Sequence, residues 1–284
     1  MTSAQADAFR RDGFVRVPGL FSPAEVAPAL AALEELRTTV LAGPEKHAVR
    51  YSSRPPGPID VWGVSNIMTP ELYDDRLAEV LAHPGLLGFV QEVLGPRLRF
   101  WTAHALWSPE MVDYELSWHK DNEEHEYHEA SGRPTHVQFN VCLTADDAFR
   151  VVPGSHRRPL TDAEREEIGR LGSGELPGEV LVPCEAGDVL FFNHHAVHRG
   201  SCENGGPRRT LHMNLQAADE PVGGQTSWKF MREPGYLETV HPTLREMMRR
   251  TIEWDDAHPI SRAEAMRRLR SKRDILARDA KGAR

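Results

Sequence analysis

At 284 residues, with 40% apolar and 27% charged side chains, the chain is long enough for one large domain with a buried core and is far from a disordered composition. A formal net charge of -8 argues against a nucleic-acid partner, which needs a basic stripe to neutralise phosphates. Cys142, Cys184 and Cys202 form no CxxC pair, and no signal-like stretch or apolar run of spanning length is visible. Reduced thiols, a cytoplasmic location and no membrane partner are therefore expected.

In chain order, residues 4–12 predict a short amphipathic helix stopped by Gly13, and FVRVPGLF a strand entering a turn. Ser22, Pro23 and Glu25 then form a helix start, with Ser as N-cap, Pro in the first turn and Glu at the capping-box position. Residues 43–60, with SSRPPGP, read as an irregular loop. Two helices divided at His83-Pro84-Gly85 follow and end at Gly95-Pro96. From Arg97 onward RLRFWTAHALW, HVQFNVCL, FRVV, EVLVPCEAGDVLFFN and RRTLHMNLQAA are short β-prone runs, with only TDAEREEIGRL helical between them. That pattern favours antiparallel pairing in a sandwich or barrel over a parallel βαβ sheet. HPTLREMMRRTIEW and the cationic ISRAEAMRRLRSKRDILAR close the chain as helices, the second with a solvated basic face. The expectation is one domain over residues 1–284, mainly β with flanking helices: a helical N-terminal region over residues 1–96, a β core over residues 97–220 and a helical C-terminal region over residues 236–284.

His119 and Asp121 stand two residues apart, so on an extended segment both point to one face and can chelate one ion. With a second histidine they would leave open positions on an octahedral Fe(II) for 2-oxoglutarate and O2. HxD alone is a weak signal, because many polar segments match it by chance. The segment GDVLFFNHHAVHRGSCENGGPRRTLHMNL adds a strand, a His-rich turn, a loop and a second strand. His194, His195 and His198 compete for the remaining ligand position there. His198 is preferred because Arg209 follows eleven residues later, and a buried guanidinium can hold the distal carboxylate of 2-oxoglutarate bidentately. Arg208 is expected to point to the other face of that strand, and a surface ion pair is the plain alternative for Arg209.

Together these residues resemble the phytanoyl-CoA dioxygenase family over most of the chain. FRRDGFVRVPGLFSPAEV, HPGLLGFVQEVLGPRLRFW, SWHKD and HRGSCENGGPRR are similar to its opening helix and strand, its helix into the first core strand, its ligand segment and its closing pattern. LTADDAFRVVPGSHRR is similar too, although Asp146-Asp147-Ala148 stands where the family usually has Asn-Gly before the strand. The resemblance implies a double-stranded β-helix, a jelly-roll or cupin-like barrel with outer helices. It also implies an Fe(II)/2-oxoglutarate-dependent dioxygenase using Fe(II), 2-oxoglutarate and O2. Halogenating members replace the ligand carboxylate by a small residue, so Asp121 implies oxygenation.

Gln138 and Asn140, on one face by alternation, and Trp107 are candidates for holding 2-oxoglutarate, and His104 for touching the substrate. Trp118 and His156 read as packing or loop-fixing residues. The acidic stretch DNEEHEYHEASGRP, with Glu123 and Glu124, points to a small polar metabolite, such as an amine or a sugar-containing intermediate of secondary metabolism, hydroxylated or oxidatively cyclised. A solvated loop is the alternative for that stretch. The competing functions are a zinc-dependent cupin-like hydrolase or isomerase and a non-catalytic metabolite-binding barrel. The expected partner is a small molecule, and the chain is expected to be a monomer or homodimer.

Overall fold

Alternation along the strands decides the architecture. The computed structural model describes residues 3–52, 60–121, 134–219 and 228–259. Its strands are β1 (Phe14–Val17), β2 (Val49–Tyr51), β3 (Val61–Ser65), β4 (Leu98–Trp107), β5 (Tyr114–Glu115), β6 (His136–Cys142), β7 (Phe149–Val151), β8 (Val180–Leu181), β9 (Val189–Phe192), β10 (His198–Cys202) and β11 (Arg209–Ala217). They form a seven-stranded sheet in the order β1-β9-β6-β11-β4-β3-β2 and a four-stranded sheet in the order β5-β10-β7-β8. Every pairing between these strands is antiparallel. The result is the expected double-stranded β-helix architecture, with two separate ladders and not one closed barrel.

One face of the large sheet is apolar. Val137, Phe139 and Val141 of β6 and Leu211, Met213 and Leu215 of β11 are completely buried on it, packed in one core with the helices. Those helices are α1 (Ser3–Asp12), α2 (Pro23–Ala42), α3 (Asp75–Leu81), α4 (Pro84–Leu94), α5 (Asp162–Gly169), α6 (Tyr236–Thr239) and α7 (Pro242–Ala257), of which α5 lies apart from this core. In α2, Val26, Ala29, Leu33, Leu36 and Val40 are buried at steps of three and four, one stripe of a 3.6-residue helix. Its start is the capping box that Ser22 and Glu25 predict: Glu25 Oε2 accepts from the Ser22 backbone N–H at 2.8 Å and from Ser22 Oγ at 2.7 Å.

Besides the expected strand β1, the N-terminal region contributes β2 and β3 to the large sheet, and β2 lies inside the stretch expected to be a loop. Three residues are too few to display an alternation. The basic helix expected over the final residues lies in 260–284, outside the described residues. Cys142, Cys184 and Cys202 are buried free thiols, as expected.

Two bulges break the regular ladders. Arg50 pairs with Gly63 but Tyr51 with Val61, which leaves Trp62 unopposed. Asn214 pairs with Thr102 but Leu215 with Phe100, which leaves Trp101 unopposed. Each bulge re-aims a tryptophan toward the space between the sheets.

Candidate active site

The inner faces of the two sheets enclose a cavity of about 360 Å³. His119 and His198 lie side by side because their backbones exchange hydrogen bonds at 3.1 Å in both directions, and the Asp121 N–H donates to the His194 carbonyl at 3.1 Å. The segment 119–121 therefore lies beside the start of β10 and the turn before it, joined by a single β-bridge at His119 and His198. Its alternation aims His119 and Asp121 into the cavity, while the Lys120 ammonium donates to the Ser155 carbonyl at 3.2 Å on the other side. His119, Asp121 and His198 bring one donor atom each to within 4.8 Å of one another.

The ring orientations suit metal binding. His119 Nδ1 lies 2.7 Å from the Ser117 carbonyl and His198 Nδ1 lies 2.9 Å from the Ala196 carbonyl. A carbonyl only accepts, so each Nδ1 carries a hydrogen and each Nε2 faces an Asp121 oxygen at 3.5 Å, where it offers its lone pair whenever the ring is neutral. Burial above all pulls His198 down to about 4, against the pull of Asp121, so the imidazole is neutral near pH 7, as a ligand must be. Burial alone would raise the Asp121 carboxyl, but His198, His119 and the Gln138 amide outweigh it and hold it well below the usual carboxylate range. Two imidazoles and one carboxylate converging on one point fit a divalent transition metal. His194 and His195, the competing histidines, are not in this group.

The inner face of the large sheet is a polar layer. The Gln138 amide donates to Asp121 Oδ2. His212 Nδ1 lies 2.8 Å from Asn140 Oδ1, and the Asn214 amide donates to His212 Nε2 at 3.0 Å, so both ring nitrogens are used by a neutral imidazole. Burial, then the charge of Arg50, pushes His212 down to about 3. His104 stacks on His212 at 5.4 Å and lines the cavity. Gln138 and Asn140 also face the cavity, Gln138 supporting a carboxylate and Asn140 a histidine.

Two expected contacts are corrected. Arg209 is on the outer face of β11, where its Nε donates to Glu34 of α2 and its Nη1 to the Arg208 carbonyl at 2.8 Å. It does not line the cavity. Arg208 does: it is buried, its Nε donates to Asp146 Oδ2 at 2.8 Å and its Nη1 to the Tyr114 hydroxyl. Burial, and then the nearby Arg50, lowers Arg208 to about 9, which leaves it cationic at neutral pH. Trp107 opposes Arg209 in the ladder and shares its outward face; its indole N–H donates to the Val61 carbonyl at 2.6 Å within the helix-side core. One pleat decides both cases, because residues an odd number apart on a regular strand face opposite ways. Trp107 is three residues from His104 and Arg209 three from His212.

Asp146, where the sequence departs from the Asn-Gly pattern, has a clear task. It accepts from Arg208, from Thr210 Oγ1 at 2.5 Å and from the Ala148 N–H at 2.9 Å, and so fixes the guanidinium. Among the cavity residues that the sequence reading missed are Arg50, Trp62, Trp101, Arg208, His212 and Asn214. Glu123 and Glu124 lie outside the described residues. Trp118 is fully buried, with its indole N–H donating to the Gly174 carbonyl at 2.6 Å. His156 packs on Gly13, whose φ is +84° and where a Cβ would lie 2.4 Å from the ring. Both are packing residues, as read.

The sequence pattern of the family described as phytanoyl-CoA dioxygenase (PhyH) matches residues 9–210. A similar protein is the ectoine dioxygenase of Bordetella parapertussis strain 12822, 25% identical over 232 residues covering 73% of this chain and 72% of that one. Among solved structures, AviO1 from Streptomyces viridochromogenes Tue57 superposes with a TM-score of 0.61 at 22% identity, over 78% of this chain and 95% of that chain. The epimerase SnoN in complex with Fe3+, alpha ketoglutarate and nogalamycin RO gives a TM-score of 0.55 at 25% identity, over 76% of this chain and 83% of that chain.

Proposed function

The chain belongs to the phytanoyl-CoA dioxygenase family, and from that premise we infer that it is an Fe(II)/2-oxoglutarate-dependent dioxygenase of a small polar metabolite, with His119, Asp121 and His198 holding the iron and Arg208 the 2-oxoglutarate. The observation that carries this reading is the convergence of those three donors on a cavity that also holds the buried Arg208. Iron loaded with 2-oxoglutarate and O2 supplies the oxidising chemistry, with 2-oxoglutarate leaving as succinate and CO2.

The protein's share is position and exclusion of water. The carbonyls of Ser117 and Ala196 orient the two imidazoles, and Gln138 steadies Asp121. Asp146 and Tyr114 occupy Nε and Nη1 of Arg208, so Nη2 is the nitrogen left for a carboxylate. Trp62, Trp101 and Trp228 narrow the cavity and exclude water from the reacting centre. A zinc hydrolase has no use for a clamped guanidinium beside its metal, and none of the relatives described above supports that alternative. A non-catalytic barrel would not need all three donors kept in ligand geometry.

Anaerobic addition of Fe(II) and 2-oxoglutarate should produce a metal-to-ligand charge-transfer absorption band, and O2 should then yield succinate. Zn(II)-dependent hydrolysis with no such band would contradict the reading.

A further inference from the structure

Among the described residues, one cation of the cavity has no counter-ion. Arg50 of β2 lines the cavity, its Nε is buried with no hydrogen-bond partner, and among the described residues no carboxylate lies within ion-pair distance. Burial lowers its pKa, with only the more distant field of Asp121 opposing. A half-buried guanidinium whose Nε has no acceptor is costly, so its retention calls for an anion that arrives with a ligand.

Its position is built by the strands. Arg50 pairs with Gly63, where a Cβ would lie 3.5 Å from Arg50 Cδ and only 2.8 Å from the Ala105 carbonyl oxygen. The glycine is required by the neighbouring β4 backbone, and the arginine stem passes it at ordinary contact distance. The guanidinium carbon lies 5.8 Å from the centre of the Trp62 ring, that of Arg208 lies 6.0 Å from Tyr114, and the two rings stack at 4.2 Å. Each ring of the pair therefore carries its own guanidinium. Asn66, held at φ 58°, directs its backbone N–H to His104 Nδ1 at 3.4 Å, so the hydrogen of that ring is on Nε2 and adds a second donor. Of the described lining residues only Asp121 is a carboxylate, and the metal claims it.

We propose that Arg50 binds the carboxylate of a small carboxylic-acid substrate whose apolar body rests on the bulge tryptophans Trp62 and Trp101. The inference rests on the Fe(II)/2-oxoglutarate reading and assigns Arg50 to the substrate, Arg208 to the co-substrate. It replaces the cationic amine expected from Glu123 and Glu124 by an anion.

The test uses full-length enzyme loaded anaerobically with Fe(II) and 2-oxoglutarate, titrated with phenylacetate, cyclohexanecarboxylate and their carboxamides. Binding is read by calorimetry, and thermal melting of the unloaded protein with the same probes is a second readout. The carboxylates should bind at least about tenfold more tightly than the amides. Arg50→Gln should erase that preference while keeping the charge-transfer band and melting no lower than the parent, since it removes a half-buried unpaired charge. Arg50→Lys should keep some of the preference. The proposal is overturned if the parent shows no carboxylate preference, if Arg50→Gln retains it, or if Arg50→Gln loses the band, which would assign Arg50 to 2-oxoglutarate. A parent without any band that still prefers carboxylates on melting would instead remove the co-substrate reading and leave the anion site standing.

Discussion

The two faces of β11 make unlike demands on the chain. Outward, Leu211, Met213 and Leu215 pack into the helical layer, where non-directional burial suffices and any well-fitting apolar side chain would serve. Inward, buried Thr210 and Asn214 and part-buried His212 are polar groups tied to Asp146, Asn140 and one another. Such groups stabilise only when partnered and cost free energy when they are not. The outer face accounts for the fold and the inner face for the chemistry, so substitutions on the two should fail in different ways.

The largest effect is expected at the metal. Asp121→Ala should abolish O2-dependent succinate formation and the charge-transfer band while its circular dichroism stays native; an unchanged band would remove Asp121 from the ligand set. Outward, Leu211→Ala leaves a cavity in a fully buried core and should lower unfolding stability by about 2–5 kcal/mol in urea titration, with 2-oxoglutarate affinity intact in the folded fraction. Gln138→Ala, which removes the amide supporting Asp121, should weaken Fe(II) binding by roughly 10–100-fold with little change in the urea midpoint.

A smaller effect concerns pH. His156 is buried, its pKa pushed down to about 4, chiefly by burial. The unfolded chain takes up that proton first, near pH 6.5, so the contribution of His156 is complete above pH 6.5 and is lost as the pH falls toward 4. The loss is at most ~1.4 kcal/mol per pH unit. Urea midpoints of His156→Gln should therefore fall less between pH 7 and pH 5 than those of the parent, and equal slopes would exclude the buried neutral ring as a source. Smallest of all, Arg209→Ala removes a half-exposed pair with Glu34 and should cost within about 1 kcal/mol.

The legible regions of the molecule were those with local causes. The Ser22–Glu25 cap, the break at His83-Pro84 and the β-prone runs after Arg97 all depend on residues a few positions apart, and each became the expected element. His119 and Asp121 are likewise brought to one face by a two-residue spacing. Arg208 was also readable, because Thr210, His212 and Asn214 alternate with Leu211, Met213 and Leu215, and Arg208 shares the polar parity. Spacing from His198 pointed to Arg209 instead; the pleat overrides it because side-chain direction on a regular strand is fixed. Arg50 was hidden in a three-residue strand within a Pro-rich stretch, and Trp62 and Trp101 were hidden because a bulge depends on pairing partners far along the chain.

The contrast between neighbouring arginines tests the account most directly. Arg208→Ala and Arg209→Ala should be loaded anaerobically with Fe(II) and titrated with 2-oxoglutarate by the charge-transfer band. Loss of 2-oxoglutarate affinity in Arg208→Ala with parental affinity in Arg209→Ala is the predicted result. Parental affinity in Arg208→Ala with loss in Arg209→Ala would contradict the inward assignment.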